Sequence, residues 1–287
     1  MSIKKSILIL DLSYTLQMVK DRELMTALES RELGGFFDKV ISVHPLAGLF
    51  EKDFGRYGKP VVNKINDNHL FIEGKIGTYM WPSFLLPLNF LIVQIKLIKY
   101  LSNICREHEV AVIRIGDPYY LGIIGLILSN ILKVPLAIRV GYRYDLGYKL
   151  SGKPSYPKLF FFRWIEKIIE KVVFSKCDLI AGANEDNANY ALKNRGRSEV
   201  VTIFRYGNLI HPEHWLDIVE RKNADSELSV LGLVDKMFTV TVASLEKRKN
   251  VDHVIKIIDE LKKRDFEIYG LVIGEGSQLS ELNTMAN

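Results

Sequence analysis

Along the chain, short continuous apolar runs alternate with longer stretches in which apolar residues recur every three or four positions. The runs are Ser6–Leu10 (SILIL), Val40–Val43 (VISV), Val110–Ile115 (VAVIRI), Leu136–Val140 (LAIRV), Leu179–Ala181 and Val200–Phe204. They are uninterrupted rather than alternating, which is the pattern of parallel strands covered on both faces. Helical spacing predicts helices around Asp21–Arg31, Leu88–Glu107, Tyr119–Leu132 and Leu159–Ser175, and another from a cap at Asn184 to Lys193. Residues 51–82 are rich in Gly and Asn and read as irregular, with one short strand at His69–Ile72. The β-α-β rhythm predicts an α/β fold with a doubly wound, Rossmann-like parallel sheet.

A polar stretch, Arg221–Glu227 (RKNADSE), interrupts this rhythm. It sets the expected organisation: a first domain over 1–220, a linker over 221–236, and a second domain over 237–287. In the second domain the rhythm restarts with a strand at Phe238–Ala243, a helix at Val251–Lys263 and a strand at Ile268–Ile273. Val251, Val254, Ile255, Ile258 and Leu261 form an apolar stripe on that helix. Gly274–Ser277 then opens a further helix. Two strands and one complete helix cannot bury both faces of a sheet, so the second domain reads as unfinished at Asn287.

The length of 287 residues agrees with roughly two domains at about 150 residues each. Hydrophobic residues at 48%, charged residues at 25% and a mean hydropathy of +0.06 fit a globular protein with a sizeable core. They exclude disorder, collagen-like repetition and coiled coil for the chain as a whole. Cys105 and Cys177 lie in apolar surroundings and read as two buried thiols in a reducing compartment. The first apolar run ends at Asp11, too short for a signal segment. The greasy stretches Phe84–Tyr100 and Leu121–Val140 are broken by Lys, Asn, Gln, Arg and Pro, so neither reads as a membrane span. The expected location is cytoplasmic.

Two segments of the second domain carry candidate chemistry. The strand ending at Ala243 runs into a basic loop, Ser244–Lys249 (SLEKRK), followed by a helix capped by Asn250 or Asp252. A basic loop at the carboxyl end of a parallel strand, next to a helix N-terminus, suits phosphate binding. The second strand ends in Gly274-Glu275-Gly276, a turn that permits close backbone approach. Each also has an ordinary reading, as a solvated loop or a tight turn.

Taken in order, VASLEKRKNVDHVI (242–255) and LVIGEGSQLSEL (271–282) resemble glycosyltransferase family 4 (group 1). The resemblance implies a two-domain GT-B fold and retaining transfer from a nucleotide-diphospho-sugar, with no tightly bound cofactor and no metal. It makes Lys249 the catalytic cation that contacts the donor diphosphate, with Ser244, Gly274, Glu275 and Gly276 beside it. Ala243 and Ser244 stand where the family has Gly and Arg. The family's Glu-x7-Glu pair would lie beyond Asn287. In the first domain, Val134–Val140 and KCDLIAGANE (176–185) resemble the family's pattern with lower specificity. Gly141-Tyr142-Arg143 replaces the family's usual His, and FRYGN (204–208) replaces its Pro-Asn-Gly-Val-Asp. The acceptor-side candidates are Asp11, Ser13, Asp117, Gly141, Tyr142 and Arg143. Asp117 has the alternative role of a turn or cap before Pro118.

His211-Pro212-Glu213-His214 has a metal-like look, but Pro212 and the lack of further clustered ligands read it as a loop. The net charge of +5 is local. Arg143–Lys176 holds eight basic and three acidic residues, so it alone sums to +5. Within it, Trp164, Ile165, Ile168, Ile169 and Val172 lie opposite Arg163, Glu166, Lys167, Glu170 and Lys171. The plain expectation is a helix packed by its apolar face with its charged face in water. The sharper alternative is docking on the inner, anionic face of the cytoplasmic membrane through Lys158, Arg163, Trp164, Lys167 and Lys171. No nucleic-acid-reading motif accompanies the charge.

The expected function is sugar transfer from a nucleotide-sugar to a saccharide or lipid-linked acceptor in surface polysaccharide or glycoconjugate assembly, with little activity in a chain that stops at Asn287. The alternatives are a non-catalytic remnant or an acceptor- or partner-binding module. A third is another nucleotide-sugar enzyme of GT-B shape, such as an epimerase.

Overall fold

A computed structural model of the chain describes residues 6–47, 60–74, 86–204 and 226–286. Its contacts divide it into two compact units, Met1–Tyr206 and Gly207–Asn287. The His211–His214 segment lies outside the described residues.

The first unit is built on one eight-stranded sheet. In chain order its strands are β1 (Ser6–Leu10), β2 (Lys39–His44), β3 (Val61–Asn66), β4 (His69–Glu73), β5 (Val110–Ile115), β6 (Leu136–Val140), β7 (Leu179–Gly182) and β8 (Val201–Ile203). Their spatial order is β3-β4-β2-β1-β5-β6-β7-β8, and only β3 runs antiparallel to its neighbour. β3 is a strand that the sequence pattern missed. It alternates half-buried and exposed positions along Val61–Asn66, as an edge strand wet on one face does.

Alternation along the central strands separates two cores. Leu8, Leu10, Ile113, Ile115 and Ile138 face one way. There they pack against helices α3 (Leu86–Glu107), α4 (Tyr120–Leu132), α7 (Arg163–Lys176) and α8 (Glu185–Lys193). Ile7, Ile9 and Val40 face the other way. The short helices α1 (Leu16–Asp21) and α2 (Met25–Glu29) bury Leu16, Val19 and Leu28 with Phe71. Thr15 caps α1 through a bond from the Met18 amide, and Asn184 caps α8 through one from Asn187.

The basic stretch after β6 is helical. It forms α5 (Tyr144–Ser151), closed by Gly152 in the left-handed region, and the single turn α6 (Pro157–Phe160). The helix expected over Leu159–Ser175 is therefore broken. Phe161, at φ +53°, interrupts it, and α7 starts afresh at Arg163.

Helix α7 also reverses the expected orientation. Glu166 and Glu170 are wholly buried, whereas Trp164 is 63% and Ile168 55% exposed. The charged face is turned inward because partners on other elements satisfy it. The Arg163 guanidinium donates to Asp145 (2.8 Å), Glu170 (3.0 Å), Glu166 (3.2 Å) and the Tyr119 hydroxyl (2.7 Å). The hydroxyls of Tyr119 and Tyr190 each donate to Glu170 at 2.6 Å. Lys167 reaches Asp145 and Glu170 at 2.6 and 3.2 Å. Burial opposes the charge on Asp145, but Lys167 and Arg163 outweigh it and hold the carboxyl below the usual range.

The second unit contains helix α9 (226–230), β9 (Met237–Val242), α10 (Val251–Lys262), β10 (Ile268–Ile273) and α11 (Leu279–Ala286). β9 and β10 pair in parallel in a two-stranded sheet. Leu245, Val251 and Leu282 form its buried centre.

Candidate functional site

In the second unit, both strand ends converge. After β9 the chain passes through Ala243 and Ser244 into a 3-10 turn, Lys247–Lys249, and then enters α10. After β10 it passes through Gly274–Ser277 into α11. The two loops are bonded backbone to backbone. The Ala243 amide donates to the Ile273 carbonyl (3.1 Å), that of Leu245 to Glu275 (2.8 Å), and that of Gln278 to Leu245 (2.9 Å). A Cβ at Gly276 would stand 2.5 Å from the Leu245 carbonyl oxygen, and one at Gly274 would collide with the carbonyl of Ala243. The glycines are thus required by the fit of one loop against the other, a constraint that acts with or without a ligand.

The same fit sorts the charges. The Glu246 carboxylate accepts from the Ser277 hydroxyl (2.9 Å) and amide (3.2 Å), which lowers its pKa. Asp252 is held by Lys256 at 2.7 Å. Lys247, Arg248 and Lys249 are all exposed. Among the described residues none of the three has a carboxylate within ion-pair distance. Asn250 occupies the N-cap position of α10, as expected, but in the left-handed region and without a side-chain capping bond. The N-terminus of the helix, with its positive dipole end, therefore lies beside three cations. Ser244 is exposed in the same loop, and Glu275 enters through its backbone carbonyl.

The first unit gathers the acceptor-side candidates at the carboxyl edge of its sheet. The chain leaves β1 toward β2 on one side and later returns to β5 on the other, so β1 and β5 flank the topological switch point. In open α/β sheets ligands bind there. Asp11 follows β1 and Asp117 follows β5. A Cβ at Gly116 would lie 3.7 Å from an Asp11 carboxylate oxygen, which brings the two loops together. Asp11 accepts from the Ser13 amide (2.8 Å) and hydroxyl (2.6 Å) and from Arg31 (2.8 Å). Burial works against its charge, but Arg31 and Ser13 prevail and lower its pKa.

Asp117 behaves in the opposite way. Burial pushes its carboxyl up to about 6, against hydrogen bonds from the Tyr156 hydroxyl (2.7 Å) and the Tyr119 amide (2.8 Å). It both caps the turn before α4 and holds a perturbed charge at the edge. Gly141 and Tyr142 are exposed after β6, with Tyr142 against the Tyr144 ring at 4.4 Å. Arg143 pairs with Asp186 at 3.3 Å in an exposed contact. Of the membrane candidates, Lys158 and Trp164 are exposed and Lys171 is half-buried, whereas Arg163 and Lys167 are engaged inside by carboxylates.

Two residues of this edge were not singled out from the sequence. Arg31 neutralises Asp11 from 20 residues away. His44, buried at the end of β2, has its pKa lowered by burial. Both depend on tertiary proximity, which no local pattern carries. Cys105 and Cys177 are free and buried, and burial pushes each thiol up to about 12. Among the described residues no three His, Cys, Asp or Glu side chains gather as metal ligands, and no helix is long and apolar enough to cross a membrane.

These features define a mixed α/β protein with an extended, mostly parallel sheet in the first unit, matching the Rossmann-like architecture of GT-B structures. Solved structures with this fold include HepE of Anabaena in complex with UDP and glucose (TM-score 0.56, 13% identity, covering 98% of this chain and 64% of that one). Sucrose-phosphate synthase of Thermosynechococcus elongatus gives a TM-score of 0.59 at 13% identity, covering 94% of this chain and 62% of that one. The UDP-forming α,α-trehalose-phosphate synthase of Burkholderia vietnamiensis gives 0.52 at 10%, covering 99% and 66%. The chain thus spans about two thirds of the length of these structures. No family model and no curated protein sequence matches it.

Proposed function

We propose that the protein is a glycosyltransferase of the family 4 type that binds a nucleotide-diphospho-sugar at the loops after β9 and β10. The observation that carries this is the exposed Lys247-Arg248-Lys249 turn at the uncapped N-terminus of α10, flush against the Gly274–Ser277 turn. The solved HepE complexes with UDP and UDP-glucose add support from the same fold.

The chemistry follows from charge. Cleavage of the sugar–phosphate bond develops negative charge on the departing diphosphate. A preorganised ammonium at Lys249 and the helix amides stabilise that charge where it forms, and loss of one such donor commonly costs about 10²–10³ in rate. In retaining transfer the acceptor oxygen bonds to the anomeric carbon as the carbon–oxygen bond to the diphosphate breaks. The acceptor's proton passes to the departing phosphate oxygen, so no protein base is obligatory. The acceptor, a saccharide or lipid-linked saccharide, meets the edge formed by Asp11, Ser13, Asp117 and Tyr142.

Incubation of the purified chain with a panel of nucleotide-diphospho-sugars, read by nucleotide binding and nucleotide diphosphate release, tests this. Binding selective for diphosphate-containing nucleotides supports the reading. Equal indifference to nucleoside, monophosphate and diphosphate overturns it and favours a module that binds only an acceptor or a partner.

A further inference from the structure

We propose that the outer face of helices α3, α4 and α7 is a docking surface for an anionic lipid bilayer. The proposal starts from the inversion of α7. With its charges turned inward, the helix presents Trp164, Ile168 and Val172 to solvent one turn apart, at 63%, 55% and 45% exposure. Phe162, 60% exposed, stacks on Trp164 at 6.5 Å and 17°. α4 packs beside α7 and α3 beside α4, and they add exposed Ile131 and Ile95. A monomer rarely leaves so wide an apolar surface open without a use.

Charge selects the occupant. In α4, α6, α7 and α3 as far as Tyr100, the only acids are Glu166 and Glu170, and both are wholly buried. The solvent side is therefore apolar and cationic over that span, with Lys99, Lys133, Lys158 and Lys176 exposed around it and Lys171 half-exposed within it, and the one exposed acid of these helices, Glu107, stands at the C-terminal end of α3. A second copy of this face would meet it with like charge. A bilayer of anionic lipid supplies phosphate for the lysines, a flat apolar layer for Ile168 and Val172, and an interface suited to Phe162 and Trp164.

The docking stands independently of sugar transfer, but it bears on it. α7 runs back from the carboxyl edge toward the start of β7, so its aromatic end lies on the edge that holds Asp11 and Asp117. On the transferase reading, that arrangement suits a lipid-linked acceptor.

Co-sedimentation of the full chain with phosphatidylcholine vesicles, with and without phosphatidylglycerol, is the test. The protein is expected to sediment with the anionic vesicles and to be released by salt, because exposed charges are screened beyond about 8 Å at physiological ionic strength. Lys158→Ala/Lys171→Ala is expected to weaken binding about 30-fold, near fivefold per lysine. Phe162→Ser/Trp164→Ser is expected to abolish it while leaving thermal unfolding unchanged, since both side chains are exposed. No sedimentation with anionic vesicles at low salt overturns the proposal. So does unaltered binding by either folded variant, or a concentration-dependent dimer that Phe162→Ser/Trp164→Ser dissolves.

Discussion

Arg163→Met removes the cation that lies among five acceptors, the carboxylates of Asp145, Glu166 and Glu170 and the hydroxyls of Tyr119 and Tyr190, while preserving most of the side chain's volume. Among the described residues Glu166 would keep only the Tyr156 amide at 2.7 Å, and Glu170 would keep Lys167 at 3.2 Å and two tyrosine hydroxyls. Removing one partner of a buried ion pair costs about 3–5 kcal/mol, because the remaining charge stays desolvated. Since Lys167 still reaches Glu170, the lower end is expected, about 3 kcal/mol. For a unit of this size that lowers Tm by about 6–12 °C. Urea unfolding followed by far-ultraviolet circular dichroism measures the cost directly. Neutralising the acids as well, in Arg163→Met/Glu166→Gln/Glu170→Gln, should recover most of the loss, because a buried network can be replaced by uncharged groups at little net cost. A single-variant loss below about 1 kcal/mol, the scale of an exposed pair, would refute the claim that α7 is held by its buried charges.

The Asp117 carboxyl should titrate at about 6 by carbon-13 NMR, and Tyr156→Phe should raise that value by removing a hydrogen bond that favours the charged form. Because the folded carboxyl holds its proton more tightly than the unfolded one, stability should fall as pH rises from about 4 to about 6, a slope that Asp117→Asn should remove. Gly276→Ala should destabilise the second unit by about 1–3 kcal/mol in thermal unfolding and weaken UDP binding, since its Cβ would press on the backbone of Leu245. Ser244→Arg should tighten UDP binding about tenfold by calorimetry, through a charge-assisted bond to phosphate. Unchanged affinity would remove Ser244 from the candidate site.

The parts of the fold that could be read from the sequence are those with local causes. β1, β5, β6 and β10 appear at the expected residues because each is a mainly apolar run without helical spacing, and Asn184 caps α8 because its side chain bonds within one turn. β3 was missed because it pairs only with β4 and keeps polar residues on its wet face. The orientation of α7 could not be read at all. Its periodicity showed two faces, but which one is buried was decided by Tyr119, Tyr190 and Asp145, which lie far away in sequence. The candidate site divides in the same way. Lys249, Gly274 and Gly276 lie in two short motifs, whereas the pairing of Asp11 with Arg31 and the burial of Asp117 needed the sheet to form first.

The central claim is that the loops after β9 and β10 hold a nucleotide diphosphate. Isothermal titration calorimetry of the full chain with UDP tests it most directly, alongside Lys249→Ala and a control, Lys256→Ala, at the lysine paired with Asp252. The account predicts binding that Lys249→Ala weakens about tenfold or more and Lys256→Ala leaves unchanged, as loss of one charge-assisted phosphate contact requires. Absence of UDP binding, or equal affinity in the parent chain and Lys249→Ala, would contradict it.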